Sequence, residues 1–516
     1  MRKFIKPKAI NQGKEEPERE QEQKDIPVND QLSQNIEVLK QKFDKCSDVV
    51  FRPLKVGNNN GYIIFIDGLI DKVSIELHAI HQLLSEVTLD SLTAEYLEQN
   101  IMSVNQVVES EELGNLVDHI LMGKTVLLVD QLNKALVLDA KGGVRRTVSE
   151  PETEASVRGP REGFTENLGV NTALVRQKLH SSNLKLVSRE IGTQTKTSVI
   201  MMYMENLAPP ELIEEVLSRL DRIEIDGVLE SGYIEELIED SPWSFFQQIQ
   251  NTERPDTVVA NLLEGRVSIL VNGTPFALIL PATFWQFIQA SEDYYQRYHI
   301  SIFLRLLRVI LLFLALLLPA FYIAVTTYHQ EMIPTNLLFS IASSREAIPF
   351  PAFVEAMIME IAFEALREAG IRLPKVIGQA VSILGALVIG QAAVEAGIVS
   401  APMVIVVSLT GIASFTIPRF NMAISIRLLR FPMMILAGLF GLFGIVIGSI
   451  ILLTHLCNLR SFGVPFFSPL GPLKWSELKD VFVRVPWWDM ENRPGDFTKE
   501  NVTREGNNLK PSPDSN

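Results

Sequence analysis

Four carboxylates stand where carboxylates are costly. The segment PAFVEAMIMEIAFEALREAG (351–370) is apolar overall, yet it carries Glu355, Glu360, Glu364 and Glu368 together with Arg367. At about 100° per residue, Glu360, Glu364, Arg367 and Glu368 fall on one side of a helix, and Ile358, Met359, Ala362 and Leu366 on another. An ionised group inside a bilayer persists when it faces protein or water. The polar side should therefore line an aqueous path or a subunit contact, and rings of acids favour cations. A helix lying on the membrane surface, its charges reaching for water, is the alternative.

Other chemistry is harder to assemble. Gly123-Lys124-Thr125 suggests a phosphate loop, but position 118 is Asp where that motif needs Gly, and the segment leads into a strand. His78 and His81, with Glu76, could share a helix face, yet no further ligand stands at a diagnostic spacing. There is no GxSxG, HExxH or Gly-rich dinucleotide fingerprint. The two cysteines, Cys46 and Cys457, exclude a disulfide scaffold and a thiolate zinc site. No catalytic residue, metal or cofactor is expected, and nothing in the sequence argues for an enzyme. Among 516 residues, 47 Lys and Arg face 61 Asp and Glu, a formal charge of −14. That balance excludes nucleic acid as the main partner, because phosphate binding runs on basic side chains.

The elements around the glutamates are long and apolar. No charged residue occurs in 309–328, 376–394, 396–418 or 431–459, and a helix needs about 20 apolar residues to cross the hydrocarbon core. If 351–370 also crosses, then Arg367, Arg372, Lys375, Arg419, Arg427 and Arg430 join Arg297, Arg305 and Arg308 on one side. The positive-inside bias favours that arrangement. It predicts about five passes, with the amino end in the cytoplasm and the carboxyl end outside. Residues 1–19 carry no apolar signal core. Small residues mark candidate helix contacts: Ala386 with Gly390, and Gly441, Gly444 and Gly448 on one side of the last run. Pro319 and Pro402 lie within their runs, which predicts kinks.

The first half reads as a duplicated α/β region. GKTVLLVDQLNKALVL (123–138) aligns without a gap on GRVSILVNGTPFALIL (265–280), each a strand, a turn and a second strand. LKQKF (39–43) resembles VRQKL (175–179), and IIFIDG (63–68) resembles MMYMEN (201–206), so order and spacing persist. The predicted organisation is a disordered polar leader (1–29), a first α/β subdomain (30–145), a charged connector (146–169) and a second α/β subdomain (170–295). An all-α polytopic membrane domain (296–460) follows, then a tail (461–516) with interfacial tryptophans and a polar, disordered end. In the connector EPETEASVRGPREGF (150–164), the charges read as a solvated linker or as an ordered lock, the candidates being Glu150, Glu154, Arg158, Gly159, Arg161 and Glu162.

The connector, the stretch YHQEMIPTNLLFSIASSREAIPFPAFVEAMIMEIAFEALREAGIRLP (328–374) and SILGALVIGQAAVEAGIVSAPMVIVVSLTGIASFTIP (382–418) together resemble the A subunit of the GerA-type spore germinant receptors. The likeness spans about residues 60–490, and the A subunits of the GerB and GerK receptors are the most similar. The resemblance implies a protein of the inner membrane of the bacterial endospore, its first half facing the spore core. It implies a transporter-like B subunit and a lipoprotein C subunit as partners, a nutrient bound by the B subunit, and a homo-oligomer whose membrane helices form a cation path.

Overall fold

The computed structural model describes residues 26–56, 59–70, 107–139, 142, 150–374, 390–498, 501–506 and 509–511. Residues 1–25 of the leader, the helical pattern of 73–87 with His78 and His81, Arg145 and Arg146, and Ala386 lie outside the described residues, whereas 26–29, predicted as disordered leader, are folded, with Val28 buried and its amide donating to the Glu111 carbonyl (2.8 Å). The chain forms two compact units: residues 1–239, 249–281 and 486–516 in one, 240–248 and 282–485 in the other.

The first unit holds two five-stranded antiparallel sheets. Helix α1 (Leu32–Lys42) buries Leu32, Ile36 and Leu39, spaced four and three apart, and ends on Lys40 and Lys42, which suit the negative end of its dipole. Strands β1 (Val49–Val56), β2 (Asn59–Ile66) and β3 (Val107–Ser110) come next, then α2 (Leu113–Leu121), β4 (Thr125–Val129) and β5 (Ala135–Leu138). The sheet order is β1-β2-β4-β5-β3. Next comes α3 (Leu168–Lys178), whose first turn is capped by Asn167 accepting from the Val170 amide. Strands β6 (Leu184–Ile191) and β7 (Thr197–Met204), helices α4 (Pro210–Asp221) and α5 (Ser231–Ile238), β8 (Gln250–Thr252), α6 (Pro255–Leu262), β9 (Val267–Val271) and β10 (Ala277–Leu280) complete the second set. Its order is β6-β7-β9-β10-β8.

The two sheets thus share one topology. The aligned hairpins hold the same place and register: Thr125 pairs with Leu138 and Val126 with Val137, as Val267 pairs with Leu280 and Ser268 with Ile279. The other matches fall on equivalent elements too. LKQKF runs along the end of α1 and VRQKL along the end of α3, while IIFIDG lies on β2 and MMYMEN on β7. Strands β4, β5, β9 and β10 are buried at every position. Burying each such Leu, Ile or Val contributes about 1.5–3 kcal/mol.

The sets meet through the loop after α1. Leu186 donates its amide to the Lys45 carbonyl (2.8 Å), and Ser47 donates to Leu186 (3.1 Å). Arg176, fully buried on α3, donates to both carboxylate oxygens of Asp48 (2.7 and 3.0 Å) and to the carbonyls of Ser181 and Leu184. Burial pulls this guanidinium down, but Asp48 outweighs it and holds the group above its ordinary value. Burial pushes the neighbouring Cys46 thiol up, against the Arg176 charge, which leaves it a poor nucleophile.

The second unit is helical: α7 (Tyr298–Thr327), α8 (Thr335–Arg345), α9 (Ala352–Arg372), α10 (Ala401–Phe415) and α11 (Phe420–Asn458). Pro319 lies inside α7 as read, but Pro402 opens α10, where its missing N–H is harmless. Helix α11 is broken at Gly441, whose φ of 60° and ψ of −142° reverse the chain. Two observations establish the reversal. A Cβ on Gly448 would meet Met433 and Leu436, across the bend. Asn421 and Ser425 from the first limb, and His455 from the second, all bond to residues 244–247. The apex sits by the end of α7, where the Tyr328 hydroxyl donates to the Gly438 carbonyl (2.8 Å).

Among the described residues two helices are long and apolar enough to cross a membrane, α7 and α11, and α11 is a hairpin. The count of about five passes is not confirmed. Helix α10 has only 15 residues, α9 is interrupted by charge, and run 376–394 lies mostly outside the described residues. The chain also enters α7 and leaves α11 at one end of the bundle, since Phe466 packs on Phe284 and Asp480 on Arg305. The described part of the tail is folded, and its last residues, 512–516, within the end predicted to be polar and disordered, lie outside the described residues. Residues 461–485 pack in the helical unit. Beyond them Arg493 donates to the Leu263 carbonyl (2.9 Å), and the Arg266 guanidinium lies 3.9 Å over the buried Phe497 ring.

Candidate functional site

The four glutamates form a seam along α9, with an arginine at each step. The helix starts at the apex end, where Phe353 abuts Gly438, and runs to the open end with α10 parallel to it. Glu355 is fully buried; it accepts from the Ser400 amide (2.9 Å), the Ser400 hydroxyl (2.8 Å) and Arg345 Nε (3.2 Å). One and a half turns on, Glu360 is 3% exposed and takes Arg430 Nη1, while Arg430 Nε donates to the Ala315 carbonyl on α7 (2.8 Å). Glu364 is half-exposed and lies between Arg367 (3.3 Å) and Arg427 (3.7 Å). Arg367 also donates to the Ser414 hydroxyl (3.4 Å). Glu368 pairs with Arg372 at the surface.

The geometry sorts the acids. Glu355 and Glu360 are buried, and each pairs with an arginine of another helix. Glu364 and Glu368 keep accessible oxygens. The pairing is incomplete: Glu360 Oε1, Arg430 Nη2, Arg367 Nε and Arg427 Nε have no hydrogen-bond partner among the described residues. The partner arginines were read only as markers of sidedness. Their spacing carried a further signal, since Glu360 and Glu364, four apart, face Arg430 and Arg427, three apart, one helical turn in each case.

Gly441, Gly444 and Gly448 have close neighbours within the chain. Gly441 is the turn itself, Gly444 faces the Leu436 backbone across the hairpin, and Gly448 faces Met433. Gly390 makes ordinary contact with Val404. A second ionic hub at the open end had no counterpart in the sequence reading. Buried Asp293 accepts from Arg305 Nε (3.1 Å) and from both terminal nitrogens of Arg308 (2.7 and 2.9 Å), while Arg305 also holds Asp480 (2.8 Å).

The connector is ordered against the second sheet set. Buried Arg254 donates to the carbonyls of Glu154 (3.3 Å) and Pro160 (2.9 Å), and Thr252 donates to the Glu154 carboxylate (2.9 Å). Glu150 pairs with Arg161 (3.1 Å) and Glu162 with Lys178 (2.6 Å), while Arg158 and Gly159 are exposed. A groove of about 1050 Å³ opens between α1 and β1–β2, lined by Glu37, Lys40, Asp44, Tyr62 and Asp130 among others. Among the described residues no three His, Cys, Asp or Glu side chains are grouped to hold a metal.

Residues 37–496 match the family described as Bacillus/Clostridium GerA spore germination protein. The chain is 55% identical over 482 residues to an uncharacterized membrane protein, YfkQ, of Bacillus subtilis, covering 93% of this chain and 94% of the relative. It is 45% identical over 499 residues to spore germination protein KA of the same organism, covering 96% and 92%. The crystal structure of the N-terminal domain of the A subunit of the Bacillus megaterium spore germinant receptor GerK3 is 35% identical, covers 50% of this chain and 97% of its own, and gives a TM-score of 0.40.

Proposed function

The chain belongs to the GerA family of spore germination proteins, and on that premise we propose that it is the A subunit of a nutrient germinant receptor in the inner membrane of the endospore. In this reading it is no enzyme. A transporter-like B subunit binds the nutrient, a lipoprotein C subunit completes the receptor, and copies of this chain assemble around a path that releases monovalent cations. The supporting observation is the seam on α9, a row of acids and arginines inside a bundle whose outside is apolar. Phe303, Ile310 and Phe313 of α7, Ile405 and Ile412 of α10, and Phe443, Ile450 and Ile451 of α11 are all exposed, as lipid or neighbouring subunits would require.

The placement follows the arginines. Arg305, Arg308, Arg367 and Arg427 gather towards the open end, which the positive-inside bias puts in the cytoplasm. Both chain ends then face the spore core. Glu364 and Glu368 carry the lining or subunit-contact role, and Glu355 and Glu360 hold the resting arrangement. The test uses spores that lack other germinant receptors and carry this chain with its B and C partners. Potassium release is followed after addition of a panel of amino acids, sugars and nucleosides. Release that depends on the chain, and that slows in Glu364→Gln with Glu368→Gln at unchanged receptor levels, is expected. Release at the full rate in that variant would remove the lining role, and no release with any nutrient would remove the receptor reading.

A further inference from the structure

Where α9, α10 and the first limb of α11 converge near the open end, positive charge exceeds negative. Among the described residues, Arg367, Arg427 and Arg430 face Glu360 and Glu364. Arg427 is 6% and Arg430 2% exposed. Nevertheless Arg367 Nε, Arg427 Nε and Arg430 Nη2 have no hydrogen-bond partner among the described residues. An uncompensated guanidinium in an apolar setting is costly, and a complementary anion relieves it. The planar fork of arginine suits phosphate, which offers several acceptor oxygens at once.

We propose that Arg367 and Arg427, backed by Arg430, form a binding site for one phosphate group. The rim indicates where that phosphate comes from. The Arg367 guanidinium lies 4.9 Å from the Phe415 ring centroid and 5.2 Å from that of Phe363, and Arg427 lies 5.9 Å from that of Phe420. Phe415 is 65% exposed and Phe420 is also exposed, so a basic pocket opens beside apolar surface. That combination fits a phospholipid head group whose chains lie against the rings. The site rests on the membrane placement of the bundle and is independent of conduction.

The experiment takes the full chain, delipidated in detergent, and measures retention of phosphatidylglycerol against phosphatidylcholine from nanodiscs of each. A parallel arm follows the thermal midpoint with inorganic phosphate. The expected result is retention of roughly one phosphatidylglycerol per chain, lost in Arg367→Gln with Arg427→Gln and kept in Arg372→Gln, whose side chain is exposed and paired elsewhere. Stabilisation by inorganic phosphate without a lipid preference, lost in the same pair, upholds the site and assigns it to free phosphate. Absence of both effects in the unaltered protein overturns the site, and so does equal loss in Arg372→Gln. Should the glutamine pair not fold, Arg367→Lys with Arg427→Lys keeps the charge and removes the fork. Weaker binding in the lysine pair supports the assignment, and unchanged binding overturns it.

Discussion

Asp48–Arg176 in the first unit and Glu360–Arg430 in the second are both buried ion pairs, and they are finished to different degrees. Arg176 makes four hydrogen bonds, two to its carboxylate and two to carbonyls. Arg430 makes one to Glu360 and one to Ala315, leaving a nitrogen and a facing carboxylate oxygen unmet. A complete pair fixes two elements in one arrangement, because every alternative leaves several buried groups unsatisfied. An incomplete pair has less to lose on separation and an available valence for something else. The first belongs to a scaffold, the second to a part that binds or moves.

The largest effect should come from breaking the complete pair. Arg176→Met leaves the Asp48 carboxylate buried without its countercharge, and should destabilise the first unit by about 3–5 kcal/mol, read as the midpoint of denaturant unfolding. Adding Asp48→Leu should restore much of the loss, since the unpaired charge goes and the two carbonyls keep the Leu184 amide and the Cys46 thiol as donors. Arg430→Met should cost somewhat less, about 3 kcal/mol, in thermal unfolding of the detergent-solubilised chain. Here the second change, Glu360→Leu, should recover less, since the buried Ala315 carbonyl, whose partner four residues on is Pro319 with no N–H to give, stays unmet at about 1–3 kcal/mol. Equal recovery in both double variants would erase the distinction between the pairs.

Gly441→Ala tests the bend near which the second pair is built. Its positive φ and the closeness of His329, 2.8 Å from an added Cβ, set the expected loss at about 1–3 kcal/mol. A stabilised variant would mean a straight helix. The smallest effect belongs to a satisfied surface carboxylate. Burial pushes Glu230 up, but hydrogen bonds from Ser231, the Gly232 amide and Thr274 outweigh it and hold the group below the usual carboxylate range. Its contribution is therefore present above the ordinary carboxyl range and lost as pH falls through the lowered folded value. Screened by solvent, Glu230→Gln should cost no more than about 0.5 kcal/mol near neutrality. The two unfolding curves should converge in acid; a gap that widens there would reverse the sign.

The repeat was legible because a strand, a turn and a strand write a short local pattern, and GKTVLLVD and GRVSILVN keep it at a constant offset. The hairpin of α11 was not. Both limbs are apolar, so AGLFGLFG (437–444) reads equally as a helix face or as a turn, and only the φ of Gly441 separates the two. The acids of α9 stood out by type. Their partners did not, because Arg427 and Arg430 are brought to them by packing between helices distant in sequence, and Arg345 by the turn between α8 and α9. The Asp48–Arg176 pair was hidden for the same reason: single charges far apart in sequence carry no period.

The strap formed by residues 493–498 has a bearing on how the molecule is made. Gly265, with φ of +88°, lies so near Phe497 and Leu207 that a Cβ there would meet their carbonyl oxygens at 2.5 and 2.9 Å, and Phe497 itself caps Arg266. During synthesis the ribosome delivers this covering last, after every helix of the second unit has emerged. Nascent second-sheet chain must therefore wait with that edge bare, a natural point for a chaperone to hold it and for quality control to recognise unfinished copies.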